Sequence, residues 1–143
     1  MKKALLLGMA LSLTVLGLAT CSMGGAGTTV VSTWGGSYVS LSGGNGGSVS
    51  GWKFMSDKTT TGVWNDSTGA VSINIDAGYA LNGSTLTIAA SGTATRTLGS
   101  PTASPYSLTC SGYLGGATGN GVYNITFSAW GTSDSGTWAV VKQ

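Results

Sequence analysis

The chain lacks histidine and glutamate altogether and carries little charge of either sign. Of its 143 residues, six are Lys or Arg and four are Asp or Glu, all four being Asp. Without His or Glu, the usual ligand sets of zinc and non-haem iron sites and nearly all His-based acid–base chemistry are excluded. We therefore expect no metal site and no cofactor. So low a charge also argues against disorder driven by self-repulsion.

The same absences leave few routes to catalysis. A His-dependent triad is excluded, and no Ser stands in a Gly-x-Ser-x-Gly elbow between a strand and a helix. Paired carboxylates would have to come from Asp57, Asp66, Asp76 and Asp134. Three of them fall in turn-like contexts, where Asp usually caps its own backbone, and Asp76 ends a predicted strand on its polar face. The sequence predicts a protein that is not an enzyme.

The first residues have the pattern of an export signal. Lys2 and Lys3 precede an apolar run from Ala4 to Leu18. The run is too short for a comfortable membrane span and has the length of a signal-peptide hydrophobic region. We predict a helical signal peptide over residues 1–20. No second long apolar run follows, so no transmembrane helix is expected after it.

Leu18-Ala19-Thr20-Cys21 resembles the lipobox of bacterial lipoproteins, in which the Cys is lipidated and becomes the mature N-terminus. The resemblance implies a diacylglyceryl group on the Cys21 sulfur and anchorage to a membrane through its acyl chains. It also implies an exported protein, anchored in the outer membrane and facing the periplasm or the cell surface. Two ordinary secretory cuts compete with this reading, one after Ala19 and one after Ala26.

The fate of the second cysteine depends on that cut. If cleavage falls after Ala19, Cys21 and Cys110 can pair in an oxidising compartment. If Cys21 is lipidated or removed, Cys110 is a lone thiol. Cys110 shares one side of a predicted strand with Tyr106 and Leu108. This placement predicts a buried, inert residue rather than a reactive thiol.

From Cys21 onward the charges cancel. Lys53, Lys58, Arg96 and Lys142 stand against the four Asp residues. There is no basic patch to release counterions from a phosphate backbone, so we expect no nucleic-acid partner.

Short alternating segments dominate the mature part. The chain holds 25 Gly, and Ser and Thr are similarly frequent, so helix formers are scarce. Tyr123–Ala129 is the clearest strand pattern, with four apolar positions on one face. We predict a flexible tether over residues 21–27 and one all-β domain over 28–143, an antiparallel β-sandwich or a small β-barrel of about eight to ten short strands.

Glycine-rich breakers are expected to separate those strands. They are Gly35-Gly36, Gly43–Gly47, Asn82-Gly83, Gly115-Gly116 and Asn120-Gly121. Both prolines lie in Gly99–Pro105, which is predicted to be a surface loop where the chain changes edge or sheet.

Two Gly-x-Trp triplets, Gly62-Val63-Trp64 and Gly136-Thr137-Trp138, resemble the strand-start motif of lipocalin-like and avidin-like barrels. The resemblance implies a barrel, and we infer no binding residue from it.

The five Trp residues are the best functional lead. Trp52 shares a strand face with Phe54, and Trp138 shares one with Val140, as core residues should. The candidate surface aromatics, which would stack against a ligand, are Trp34, Tyr38, Tyr113 and Trp130.

The sequence leaves two functions open. The first is a lipid-anchored, non-enzymatic envelope protein that acts as a structural or interaction module with an envelope protein as partner. The alternative is a module that binds carbohydrate or a small apolar ligand through its aromatics. A row of exposed coplanar aromatics would favour sugar, an open barrel with inward Trp would favour an apolar ligand, and a filled core would favour the structural role.

Overall fold

Eight antiparallel strands form the part of the protein that the computed structural model describes, residues 28–143. The predicted signal peptide and the whole predicted tether, including Cys21, lie outside the described residues. The strands are β1 (Val30–Ser40), β2 (Gly47–Met55), β3 (Thr59–Asp66), β4 (Val71–Asn82), β5 (Thr85–Arg96), β6 (Ala103–Gly115), β7 (Thr118–Phe127) and β8 (Thr132–Lys142).

The strands close into a barrel. Each pairs with the next along the chain, and β8 pairs back with β1, where Tyr38 lies opposite Trp138. The all-β prediction is confirmed, and of its two alternatives the structure is the barrel. Since both outer strands of the sheet pair with each other, the described barrel has no open edge. Among residues 28–143, no helix is long and apolar enough to cross a membrane.

Side chains alternate between the barrel interior and the outer surface, as the sequence pattern predicts. In β6 every second residue from Ser104 to Cys110 is buried. The interior is built around aromatic rings. Trp138 and Trp52 meet edge to face with centroids 5.3 Å apart, and Trp52 and Trp64 meet in the same way at 5.9 Å. The predicted core positions of Trp52, Phe54, Trp138 and Val140 are confirmed, since all four are buried.

The two ends of the barrel differ. At one end lie the loops after β1, β3, β5 and β7, which cover residues 41–46, 67–70, 97–102 and 128–131. We call this the loop end. At the opposite end tighter turns join β4 to β5 and β6 to β7, where Gly83 and Gly116 have positive φ angles. The longer loops leave the loop end more open, and it is there that the interior is reached from outside.

Two of the predicted breakers are wrong. Gly35-Gly36 lies inside β1 and Asn120-Gly121 lies inside β7. A Cβ on Gly121 would stand 2.7 Å from Trp138 Cζ2 and would overlap the backbone carbonyl of Ser111. Glycine is therefore required there by close approach within the sheet rather than by a turn.

The prediction for Gly99–Pro105 is also wrong in part. The segment contains the loop between β5 and β6, but these strands are neighbours, so the chain changes neither edge nor sheet. Pro105 belongs to β6 and lies opposite Thr93.

Cys110 points into the barrel and is 3% exposed. Burial raises the pKa of its thiol to about 12. A thiol that is both enclosed and protonated at neutral pH is a poor nucleophile. The predicted buried position is confirmed, while its pairing with Cys21 involves a residue outside the described range.

We predict that Gly121→Ala destabilises the protein by roughly 1–3 kcal/mol, because its methyl group has no space between β6 and Trp138. Gly78→Ala is the matched control. Its Cβ would meet only the Lys58 carbonyl oxygen at 3.9 Å, so the change should be neutral or slightly stabilising. Urea unfolding of both variants measures the difference. Equal stabilities of the two variants would contradict the close packing described for Gly121.

Candidate functional site

A cavity of about 340 Å³ opens at the loop end of the barrel. We call it the mouth cavity. Its lining comes from strands on both sides of the barrel and from the β1–β2 loop. The lining residues used below are Tyr38, Trp64, Asp66, Ile73, Leu108, Tyr123, Ile125, Phe127, Thr132 and Asp134.

Aromatic and aliphatic side chains make up the inner wall of the cavity. Tyr38 and Trp64 are stacked, with ring centroids 5.1 Å apart. Tyr123 meets both rings edge to face, at 5.6 and 5.5 Å. Behind Trp64 stands Trp52, so the aromatic column that fills the barrel ends at the cavity. The stacked rings of Tyr38 and Trp64 thus form part of the cavity wall.

Asp134 ties β8 to the neighbouring strands at the rim of the cavity. Its Oδ1 accepts hydrogen bonds from the hydroxyls of Ser40 and Ser42 and from the Ser135 N–H at 2.9 Å. The Tyr123 hydroxyl donates to its Oδ2 at 2.7 Å. The turn-like context expected for Asp134 is wrong, since the residue lies in β8 and binds across strands rather than capping its own turn.

These contacts decide the protonation state of the Asp134 carboxyl. Its partial burial works to raise the pKa, but the hydrogen bonds from Ser40, Ser42, Tyr123 and the Ser135 backbone outweigh burial and lower it. The pKa of Tyr123 is raised, because burial and the hydrogen bond to Asp134 both favour the neutral phenol. At neutral pH the pair is a carboxylate and a phenol.

Asp66 is the second carboxylate at the rim, at the end of β3. Its Oδ1 accepts the Val71 N–H at 3.1 Å, and its Oδ2 accepts the Thr68 hydroxyl at 2.8 Å. Partial burial works to raise the pKa of Asp66, but the hydrogen bonds to its carboxylate outweigh burial and lower the pKa. For this residue the expected turn-capping role is confirmed, and its carboxylate lines the cavity as well.

The Tyr38 hydroxyl faces the same region. Tyr38 is 7% exposed, and no hydrogen bond to its hydroxyl is formed among residues 28–143. The only enclosed side-chain polar atoms without a partner in the described chain are those of Trp52 and Trp64, so the Tyr38 oxygen is accessible. Since Tyr38 lines the mouth cavity, its hydroxyl opens into that cavity. Burial raises the pKa of Tyr38 to about 12, and the negative charges of Asp66 and Asp134 add to the rise. The hydroxyl is therefore neutral and near both carboxylates.

Two indole N–H groups in the aromatic column have no oxygen or nitrogen acceptor among the described residues, those of Trp52 and Trp64. Both are enclosed by neighbouring rings that cross at close to right angles. In such an arrangement an N–H can point at an aromatic face, a weak contact that offsets part of the cost of burial.

The site combines hydrogen-bond acceptors and an apolar wall. Both carboxylates are ionised at neutral pH, so neither is poised to donate a proton to a substrate. Within the described part of the chain, no group of three or more His, Cys, Asp or Glu residues could hold a metal ion. What the arrangement offers is a shaped pocket for a small molecule, with polar groups at its rim and rings below.

The four surface aromatics predicted from the sequence do not form a row. Trp34 is 3% exposed and donates its N–H to Ser32 Oγ at 2.8 Å, so its expected surface position is wrong. Tyr38 is buried too, but it lines the mouth cavity. The side chains of Trp34 and Tyr38 point inward from β1, so both rings lie inside the barrel.

The other two predicted aromatics lie apart from the cavity. Tyr113 is 48% exposed on the outside of β6. Trp130 is partly buried in the β7–β8 loop, where it packs on Phe127 at 4.7 Å and under the Arg96 guanidinium at 4.8 Å. Its N–H donates to the Pro101 carbonyl at 2.9 Å, so it fastens two loops of the loop end together.

Sequence reasoning missed Trp64, Tyr123, Asp66 and Asp134 as members of one site. Alternation marks Trp64 and Tyr123 as inward-facing. The barrel closure that brings β1, β3, β7 and β8 together at one end follows only from the strand order.

Comparisons with protein-family models, with curated proteins and with solved structures find no match for this chain.

We predict that the free energy of unfolding falls as the pH drops below 3.8, the ordinary Asp value. Carboxyls whose folded pKa is lowered stabilise the native state above that value and lose this contribution as they protonate. Asp134→Asn should therefore be less stable than wild type at pH 7 but lose less stability on acidification. Urea unfolding from pH 2 to pH 7 tests this. The same pH dependence in both proteins would contradict the role given to the Asp134 hydrogen bonds.

Proposed function

We propose that this protein is a non-enzymatic barrel that binds a small molecule in the mouth cavity. The observation that carries the proposal is the cavity itself, an opening of about 340 Å³ that continues the packed interior and is walled by inward-facing aromatics. Ligand pockets typically have volumes of about 300–1,000 Å³, mostly apolar walls and a few well-placed polar groups. The mouth cavity meets all three conditions.

The polar groups of the cavity support binding rather than chemistry. Asp134 is fixed by four hydrogen bonds from its neighbours, and Asp66 is fixed by the turn that it caps. Groups held in this way are preorganised to orient a ligand at little cost in conformational entropy. Both are ionised at neutral pH, which leaves them as acceptors for a ligand.

An apolar or amphipathic ligand is better supported than a flat carbohydrate surface. Sugar-binding faces present exposed rings in one plane, whereas Trp34 and Tyr38 lie inside the barrel and Tyr113 stands on its outside. Trp64 and Tyr38 present their stacked rings to an enclosed space.

A second candidate function is that of an interaction module, favoured by the outer surface of the barrel. The outward residues of β6 and β7 carry no charge, and Tyr113 and Val122 are about half exposed there. Such a surface suits contact with another envelope protein, because desolvating it requires no buried charge. The two functions involve different faces of the barrel and can coexist.

The predicted export signal and the lipobox-like Leu18-Ala19-Thr20-Cys21 support a location in the cell envelope. With Cys21 lipidated, residues 22–27 would tether the barrel to a membrane. The mouth cavity would then be accessible to small molecules of the periplasm or the medium.

The binding proposal is tested with a neutral apolar dye, N-phenyl-1-naphthylamine, whose fluorescence rises in an apolar site. We predict saturable binding of one dye per barrel. Thr132→Trp, at the rim, should weaken binding about tenfold or more, since Thr132 lies opposite the inward-facing Phe127 and the added ring fills the opening. Ser107→Trp adds the same ring on the outer face of β6 and should bind dye as wild type does. No dye binding by wild type, or equal loss in both variants, would refute the proposed site.

The location is tested by the intact mass of the mature protein recovered from cells, with and without reductant. A chain that begins at Cys21 and carries acyl groups is the expected result. A chain that begins at Thr20 and gains two hydrogens on reduction would instead show a soluble protein with a disulfide between Cys21 and Cys110.

A further inference from the structure

The charged groups that line the mouth cavity are all of one sign. Asp66 and Asp134 line it, and no Lys or Arg does. Every hydrogen bond that these two carboxylates accept comes from a neutral group: a hydroxyl, a backbone N–H or the Asn45 side chain. Carboxylates in a partly buried site are normally paired with a cation, and here the described chain supplies none.

Both carboxylates keep acceptor capacity. A carboxylate has about four lone-pair positions. Asp134 Oδ1 receives three donors, but Oδ2 receives only Tyr123. Asp66 Oδ1 accepts the Val71 N–H and Oδ2 accepts the Thr68 hydroxyl, while the Ala70 N–H and the Asn45 side chain act on the same carboxylate and also lower its pKa. The free positions border the cavity and can accept hydrogen bonds from a bound molecule.

Tyr38 is an independent indication of a ligand at this point. The residue is more than nine-tenths buried, yet its hydroxyl lacks a hydrogen-bonding partner within residues 28–143 and opens into the cavity. Buried hydroxyls are normally hydrogen-bonded. Tyr38, Asp66 and Asp134 line the same cavity, and the charges of both carboxylates act on the Tyr38 hydroxyl.

The cations of the described chain are engaged or lie elsewhere. Arg96 belongs to the loop end, but its guanidinium stacks on Trp130 and its Nε donates to the Pro101 carbonyl. Lys58 and Lys142 lie at the opposite end of the barrel, and Lys53 points outward from β2. None of them lines the cavity.

We propose that the ligand of the mouth cavity is a small organic cation, a protonated amine on an apolar body. The ammonium N–H groups would bind Asp66, Asp134 and the Tyr38 hydroxyl at the rim. The apolar body would lie against Ile73, Leu108, Ile125 and Phe127. This inference rests on the proposed function, because it names the class of molecule that the same cavity takes.

Three probes of similar shape and different charge test the inference at pH 7, with affinities measured by calorimetry or by ligand-observed NMR. They are 2-phenylethylammonium, neutral 2-phenylethanol and anionic phenylacetate. We expect 2-phenylethylammonium to bind about tenfold more tightly than 2-phenylethanol, and phenylacetate to bind more weakly than both. Thr132→Trp should weaken the binding of all three.

Matched variants separate the charge at the cavity from the net charge of the protein. Asp66→Asn and Asp134→Asn should each reduce the preference for the cation over the alcohol several-fold, while 2-phenylethanol still binds. Asp76→Asn removes the same charge from the exposed outer face of β4 and should leave the preference unchanged. If Asp134→Asn fails to fold, Asp66→Asn carries the test, because the hydrogen bonds from Thr68 and Val71 to its carboxylate lie within one local turn.

The outcomes distinguish the two proposals. Equal affinity for 2-phenylethylammonium and 2-phenylethanol, or a preference that Asp76→Asn reduces as much as the cavity variants do, overturns the cation inference and leaves the binding site standing. If neither these probes nor the naphthylamine dye binds, the proposed function fails together with the inference.

Discussion

The pairing of β8 with β1 is the constraint on which the rest of the molecule depends. Once the sheet closes, every inward side chain must share one interior, and the volume of that interior is set by the eight strands. Large rings fill most of it: Trp138, Trp52 and Trp64 follow one another in edge-to-face contact. The mouth cavity is the part of the interior that this column leaves open, so the fold and the candidate site have the same origin.

Closure also explains why acidic residues can occupy the rim. Asp134 stands on β8 and receives hydroxyls from Ser40, Ser42 and Tyr123, which belong to β1, the loop that follows it, and β7. Its carboxylate thus joins the closing strand pair at the loop end by neutral hydrogen bonds. A cation in place of these donors would have satisfied the charge internally. Neutral donors stabilise the carboxylate and leave its negative charge directed at the cavity.

The sequence predicts the class of fold well because strand alternation is a local property. Tyr123–Ala129 and Tyr106–Tyr113 each show by their period which residues face inward. It predicts strand continuity poorly because a glycine such as Gly121 looks the same whether it turns the chain or admits the Trp138 ring. The site is harder still. Tyr38, Trp64 and Asp134 are far apart in sequence and meet only through strand order and register, which alternation does not encode.

The central claim, that the loop end of the barrel is a ligand site, is tested most directly by the indole N–H signals of the five Trp residues in a nitrogen-15 NMR spectrum. Each indole reports on a different depth or face of the barrel. Titration with 2-phenylethanol should shift the Trp64 signal most, because Trp64 alone of the five lines the cavity, and should leave the Trp34 signal in place. Shifts confined to Trp34 or Trp138, or none at saturating probe, would contradict the account.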